Sequence, residues 1–326
     1  MVRFAVSKSI CVLLVVMYLN LFCCSVSGSE KVIKLVKDKR WKFVVAFNGL
    51  LYFINPPGQY KPVLEAETRK KGEIANYPTF SPDGRHVAYC LLKKSITYMF
   101  EYDLVRKELR NLYKTQLGIR NLSWSPDGKR ILFLTNYNHD LETLDLCVIE
   151  FATLEVQVVA KGMVSATQVC TPSWLHDGSA ILFSGRDGRI IKIDPSEHIP
   201  TVVLNGTCPS CSPDGKYIVF RDGKNTLRKK GIEAVVKTSQ WSDYYIYDVR
   251  QKTKKLLFHG KGMFGLGGTV WQSVLWSPDA QYLMFFKSQD FPNVEEAFLM
   301  HVETGRRFPF AKLKPFSPGA IDWAKY

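Results

Sequence analysis

Aspartates recur in this 326-residue chain at one place in a repeated pattern, as Asp83, Asp127, Asp177, Asp214 and Asp279, separated by 37 to 65 residues. Gathered in space, such carboxylates could hold a cation or exchange protons with a substrate. Six histidines (His86, His139, His176, His198, His259 and His301) could add metal ligands, but they fall at unrelated places in the pattern, with no His-x-x-x-His or Glu-x-x-His pair. Gly262, Gly265, Gly267 and Gly268 would suit a phosphate cradle, yet they join two strand patterns and open no helix. Cys208-Pro-Ser-Cys211 has the spacing of a redox pair. It lies on an extended segment, however, where Cα atoms three residues apart stand about 10 Å from each other, too far for a disulfide. There is no Gly-x-Ser-x-Gly elbow. The expectation is no catalytic set, no metal site and no cofactor.

The elements around the five aspartates explain them better. Three residues before each stands Phe80, Trp124, Trp174, Cys211 or Trp276; four after it Val87, Ile131, Ile181, Ile218 or Leu283; six after it Tyr89, Phe133, Phe183, Phe220 or Phe285. A period of two on the second arm predicts a strand. Pro82, Pro126, Pro213 and Pro278 preset φ at the first turn position, and Gly84, Gly128, Gly178 and Gly215 can take the positive φ that closes a hairpin. Two copies depart: Leu175-His176 replaces Ser-Pro, and Ala280 replaces Gly, which puts a Cβ at positive φ at a cost of about 1 kcal/mol. A second hairpin follows in every unit, with Asp103, Glu150, Asp194, Asp248, His301 and Glu303 read as turn residues.

The units FSPDGRHVAY, WSPDGKRILF, WLHDGSAILF, CSPDGKYIVF and WSPDAQYLMF resemble the TolB-like β-propeller repeat family, a repeat also seen in the propellers of prolyl-oligopeptidase-type peptidases and in oligogalacturonate lyases. The resemblance covers the propeller domain alone, from about Trp41 onward. It implies an all-β, six-bladed propeller of four-stranded antiparallel blades, and a cell-envelope assembly role with a protein partner. Trp41 to Leu64 reads as three strands lacking an inner one, and Ile321-Asp322-Trp323 as an inner strand lacking the rest. The C-terminal strand is therefore expected to close the ring, which removes exposed sheet edges. The expected division is a signal peptide at 1–28, a lead at 29–40 and the propeller at 41–326. Its first blade is shared between 41–66 and 316–326; the others run over 76–114, 120–160, 170–205, 207–258 and 272–310.

Arg3 and Lys8, an apolar run from Ile10 to Cys24, and Ser25-Val26-Ser27-Gly28 follow the order of an export signal cleaved near Gly28. The alternative is an uncleaved membrane anchor over 10–24. The body is not expected to be membrane-embedded. Its formal charge of +14, reduced by Arg3 and Lys8 on cleavage, points to an envelope protein or an anionic polysaccharide or lipid surface as partner, with no specific nucleic acid and a monomeric state. Five cysteines remain after the signal, an odd number, and the spacing leaves a Cys170 to Cys208 bridge open. Binding is expected on the rim opposite the Asp-centred turns, where the irregular insertions cluster. The candidates are Arg120, His139, Asp140, Arg228, Lys229, Lys230, Trp241, Trp271 and Gln272. A polysaccharide-active enzyme on the same scaffold is the competing reading.

Overall fold

A computed structural model describes residues 34–37, 41–47, 49–55, 59–63, 73–135, 143–166, 170–222, 243–258, 274–287, 294–316 and 321–325. Its strands make six four-stranded antiparallel sheets, arranged as blades of one ring. The second blade runs inside to outside through Glu73–Phe80, His86–Lys93, Ile96–Asp103 and Glu108–Thr115, the third through Ile119–Trp124, Arg130–Thr135, Thr143–Glu150 and Val156–Ser165. The fourth comprises Ser173–Trp174, Ile181–Ser184, Arg189–Ile193 and Pro200–Asn205; the fifth, Thr207–Cys211, Tyr217–Arg221, Tyr244–Asp248 and Thr253–Phe258. The sixth comprises Leu275–Trp276, Tyr282–Lys287, Val294–His301 and Arg307–Phe316. The first blade is composite. Ile321–Lys325 is its inner strand, followed by Trp41–Phe47, Leu50–Asn55 and Gln59–Pro62, with Phe43 facing Trp323 across the join. The C-terminal strand thus closes the ring, as the repeat pattern predicts.

The turns form through a small network. At the third blade, Ser125 Oγ donates to Asp127 Oδ1 (2.5 Å) and accepts from the Arg130 amide (2.9 Å), while Asp127 Oδ1 also accepts from the Lys129 amide (3.0 Å). The Gly128 amide closes the turn on the Ser125 carbonyl (2.9 Å). Ser81, Ser212 and Ser277 repeat the arrangement with Asp83, Asp214 and Asp279. In the fourth blade the serine has moved across the aspartate: Asp177 accepts from the amide and hydroxyl of Ser179 (3.0 and 2.7 Å). Gly128 takes φ 70°, and Ala280 is held at φ 57° where its sister turns use glycine. The second-hairpin acids are turn-formers too, since Asp103 accepts from the Val105 and Arg106 amides and Asp194 from Ser196.

Packing follows the same register. Every residue four or six positions after the aspartates is buried, from Val87 and Tyr89 to Leu283 and Phe285, each stabilising by roughly 1.5–3 kcal/mol. The bulky residues three before the aspartates sit at the seams between blades. Trp174 Nε1 donates to the Ser123 carbonyl (3.2 Å), Trp276 Nε1 to that of Ser210 (3.0 Å), and Trp323 Nε1 to that of Trp276, each reaching the preceding blade. From the other side, Arg130 lies 4.7 Å over the Trp174 ring and donates to the Gly178 carbonyl, Lys42 does the same over Phe80 toward Gly84, and Tyr217 stacks on Trp276. At the seam between the fourth and fifth blades Cys211 has no indole to offer. There the Cys170–Cys208 disulfide joins the blades, with Cα atoms 5.1 Å apart.

Candidate functional site

Strand alternation decides what faces the axis. If the residue three before each aspartate goes into a seam, its predecessor faces the channel. Those predecessors are Thr79, Ser123, Ser173, Ser210, Leu275 and Asp322, and all six line one cavity of about 410 Å³. Prolines of the turns and His176 complete the wall, so the cavity lies at the turn end of the channel. Its lining is mainly neutral: hydroxyls, indoles and prolines, with Asp322 the one carboxylate among the described wall residues.

Asp322 is the electrostatic centre of this wall. Its Oδ2 accepts from the Phe80 amide (2.8 Å) and the Thr79 hydroxyl (3.0 Å), and its carboxylate also takes the Trp323 amide. Burial pushes its pKa up to about 6 although these donors work the other way. Among the described residues, no lysine or arginine pairs with it. Two buried polar atoms on the third blade are orphans. Asn121 is 3% exposed and donates through Nδ2 to Thr171 Oγ1 (3.5 Å), but its Oδ1 has no partner; Trp124 is 7% exposed and, unlike the three other seam indoles, its Nε1 has none either. Both residues line the cavity.

Three of the inner strands are also bulged at one repeated place. Tyr77, Asn121 and Cys208, each six residues before an aspartate, hold φ of 54°, 57° and 55°, and the pairing register shifts there in all three strands. Non-glycine residues in the left-handed region cost about 1 kcal/mol or more apiece. A bulge re-aims side chains, and of these three residues Asn121 lines the cavity.

Of the residues singled out from sequence, Arg120 is described and the rest are not. It is the second residue of the inner strand of the third blade, half-buried, paired with Leu134 and not among the residues lining the cavity. Burial raises the pKa of neighbouring Tyr77, with the Arg120 charge opposing. His139, Asp140, Arg228, Lys229, Lys230, Trp241, Trp271 and Gln272 lie outside the described residues. The repeated aspartates serve as turn anchors. At Asp127, burial acts to raise the pKa, but the Ser125 hydroxyl, the Lys129 amide and nearby cations outweigh it and hold the carboxyl below its usual range. Asp83 and Asp214 behave likewise, and Asp177 is lowered chiefly by Ser179. Burial drives the Cys211 thiol up to about 12, so it is no thiolate nucleophile.

The described histidines are dispersed in local contacts: His86 with Glu101 (2.6 Å), His198 with Gln157 (2.7 Å), and His301 with Thr304 (3.1 Å). Among the described residues, no three His, Cys, Asp or Glu side chains gather as a metal site. Sequence reasoning missed Asp322 as a site residue. The signal was available, because an inner strand Ile321-Asp322-Trp323 with Trp323 at the place of Trp124, Trp174 and Trp276 puts its predecessor on the channel.

Ring, closure strand and channel together define a six-bladed β-propeller, with the fold of the TolB structures. Among solved structures, the chain is similar to TolB from Acinetobacter baumannii (TM-score 0.62, 18% identity, 88% of this chain and 66% of that one). It is also similar to a putative TolB from Agrobacterium tumefaciens (TM-score 0.57, 14% identity, 87% and 97%) and to an oligogalacturonate lyase in complex with manganese (TM-score 0.54, 15% identity, 85% and 75%). The chain spans just under two thirds of the Acinetobacter protein's length. At these identities the likeness establishes the fold. No protein-family profile matches the chain, and no curated protein sequence does.

Proposed function

We propose that the protein is an exported, non-catalytic binding or scaffold propeller that engages a protein or an anionic ligand at the cell envelope. The observation that carries this reading is the channel wall: hydrogen-bonding side chains displayed around one cavity on the inner strands of a latched ring. Strand-borne groups of this kind form a preorganised recognition surface, and pockets of some 300–1,000 Å³ are the usual size for ligands. Export is supported by the basic, apolar, small-residue order of 1–28. It is supported too by the Cys170–Cys208 disulfide, since such bonds persist in oxidising compartments. The envelope setting comes by analogy with the TolB structures, and analogy of fold is its only warrant. Loops of the rim opposite the turns, with Arg228, Lys229 and Lys230, would meet an acidic partner surface.

Retention of the purified full chain on vesicles containing anionic lipid, and on an immobilised acidic polysaccharide, tests the reading. Neutralising Arg228, Lys229 and Lys230 together is expected to reduce retention and flatten its salt dependence; unchanged retention removes the basic loop from the proposal. The competing enzyme reading is tested by incubation with polygalacturonate and manganese. Unsaturated oligosaccharide products, or manganese bound in stoichiometric amount, would overturn the non-catalytic reading.

A further inference from the structure

We propose that the outer edge of the fourth blade, strand Pro200–Asn205, takes up an extended segment of a partner polypeptide by strand addition, the segment being apolar in its middle and ending in lysine or arginine. This goes beyond the reading above: it concerns the side of the ring and does not depend on the basic loops.

Six blades leave six outermost strands, each with one edge that pairs with no described strand. An open edge is a template for another chain, and charged side chains are a usual protection. Five of the six have it. Lys61, Arg110, Lys161, Lys254 and Arg307 stand exposed on the outer strands of the first, second, third, fifth and sixth blades. The outer strand of the fourth blade reads Pro-Thr-Val-Val-Leu-Asn and carries no charged side chain. Bulges also blunt edges, but the pairing register shifts here as it does at the outer strands of the second, third, fifth and sixth blades, so the bulge does not set this strand apart. Pro200 removes an amide only at the first position. Ile199, Val202 and Val203 are 63%, 52% and 37% exposed, so apolar side chains lie open along the edge. Main-chain hydrogen bonds along such an edge give affinity, and the side chains beside it give specificity.

Charge decides what kind of segment it takes. The third and fourth blades, residues 119–206, hold seven lysines and arginines against ten aspartates and glutamates, in a chain whose formal charge is +14. Asp194 and Glu197 lie on the turn that leads into the open strand, and Glu155 immediately precedes the outer strand of the third blade. The two stretches are tied together: Gln157 Nε2 donates to the Pro195 carbonyl (3.2 Å), and His198 Nδ1 donates to the Val159 carbonyl (3.1 Å). Of the cations nearby, Arg189 is held by Asp187 and Arg130 lies over Trp174, while Lys192 stands opposite Thr201 on the neighbouring strand. A second copy of the chain docked edge to edge would set the same acidic pair of blades against this one, and like charges in an interface oppose association. The occupant is therefore a different polypeptide, with cations at the end of its strand.

Fluorescence anisotropy of labelled peptides titrated with the full chain tests this. The probes are Lys-Thr-Val-Ile-Val-Thr-Lys, the same peptide with glutamate at both ends, and the lysine peptide with its central amides N-methylated, which removes the donors a ladder needs and keeps the charge. Both modified probes are expected to bind about tenfold weaker or less tightly still. Val203→Lys, which gives this edge the protection of the other five, is expected to abolish binding while the melting transition is retained, and Val202→Lys to do the same. No binding of the lysine peptide to the parent, equal affinity for either modified probe, or binding unchanged in both lysine variants would overturn the proposal. So would a concentration-dependent dimer in sedimentation velocity that Val203→Lys dissolves, since the occupant would then be a second copy. Retention of Val203→Lys on anionic surfaces is expected to match the parent, so failure at this edge leaves the basic-loop reading standing, and failure of that reading leaves this edge standing.

Discussion

Asp322→Asn should stabilise this propeller at neutral pH, by an amount that depends on pH in a defined way. The carboxyl has its pKa raised from 3.8 to about 6 in the fold, mainly by burial. A folded pKa above the unfolded one means that the contribution of this group is intact below about pH 4 and is lost as pH rises through 6. At about 1.36 kcal/mol per pH unit, the rise corresponds to about 3 kcal/mol against the folded state once the group is ionised. The carboxyl is enclosed by the ring, yet the residue keeps part of its surface open to the cavity, so screening reduces the figure to about 1–2 kcal/mol. An asparagine oxygen can still accept from Phe80 and Thr79, which limits the loss of hydrogen bonding. For a domain of this size the gain corresponds to a rise of about 2–6 °C in Tm. Thermal melts of both proteins from pH 4 to pH 8 provide the assay: the curves should coincide near pH 4 and separate to a plateau above pH 7. A difference independent of pH, or a variant less stable than the parent at pH 7, would show that Asp322 acts as a net favourable latch and refute the reasoning.

Other substitutions probe the turns and seams. Asp127→Ala removes the acceptor of Ser125 and Lys129 and should cost about 1–2 kcal/mol in urea unfolding at pH 7; because its folded pKa is lowered, this contribution disappears as pH falls through the folded value, so the two proteins should converge in acid. Ala280→Gly, at φ 57°, should raise stability by about 0.5–1 kcal/mol, in contrast to the usual penalty for glycine in a hairpin, measured in the same urea titration. Cys208→Ser opens a 38-residue link and should cost about 4 kcal/mol, a loss that dithiol reductant should reproduce in the parent and not in the variant. Trp323→Ala, which empties the contacts with Trp41 (5.0 Å) and Phe43 (5.2 Å), should cost about 3–5 kcal/mol by calorimetry.

The ring was legible because its determinants are local and repeated. Pro126-Asp127-Gly128 dictates a turn without reference to anything distant, and Ile131 and Phe133 declare a buried face by alternation alone. The seams were harder to see. The residue three after the aspartate is His86, Arg130, Ala180, Tyr217 or Tyr282, a set with no shared chemistry, yet Arg130 and Tyr217 both reach across to the next blade's indole. What repeats there is a position, and residue type hides it. The Cys170–Cys208 bond joins two blades, so strand patterns within one blade leave it open. The expectation of binding at the insertions followed from their length and charge. The described cavity is built instead from small residues at the turn end, where Ser123 and Ser173 look like ordinary strand positions until the ring sets them around one axis.

The join between Trp41–Phe47 and Ile321–Lys325 carries a consequence for how the molecule comes into being. Blades two to six can each assemble from contiguous chain as it emerges, but the first waits for a strand made at the far end of synthesis. Until then Trp41–Phe47 exposes an unpaired edge able to template pairing with another chain, and loop closure over such a separation is intrinsically slow. If the chain is exported, as proposed, passage through a pore would hold the late strand back while the early one is already free. The exposure of that edge ends when Trp323 docks on Phe43.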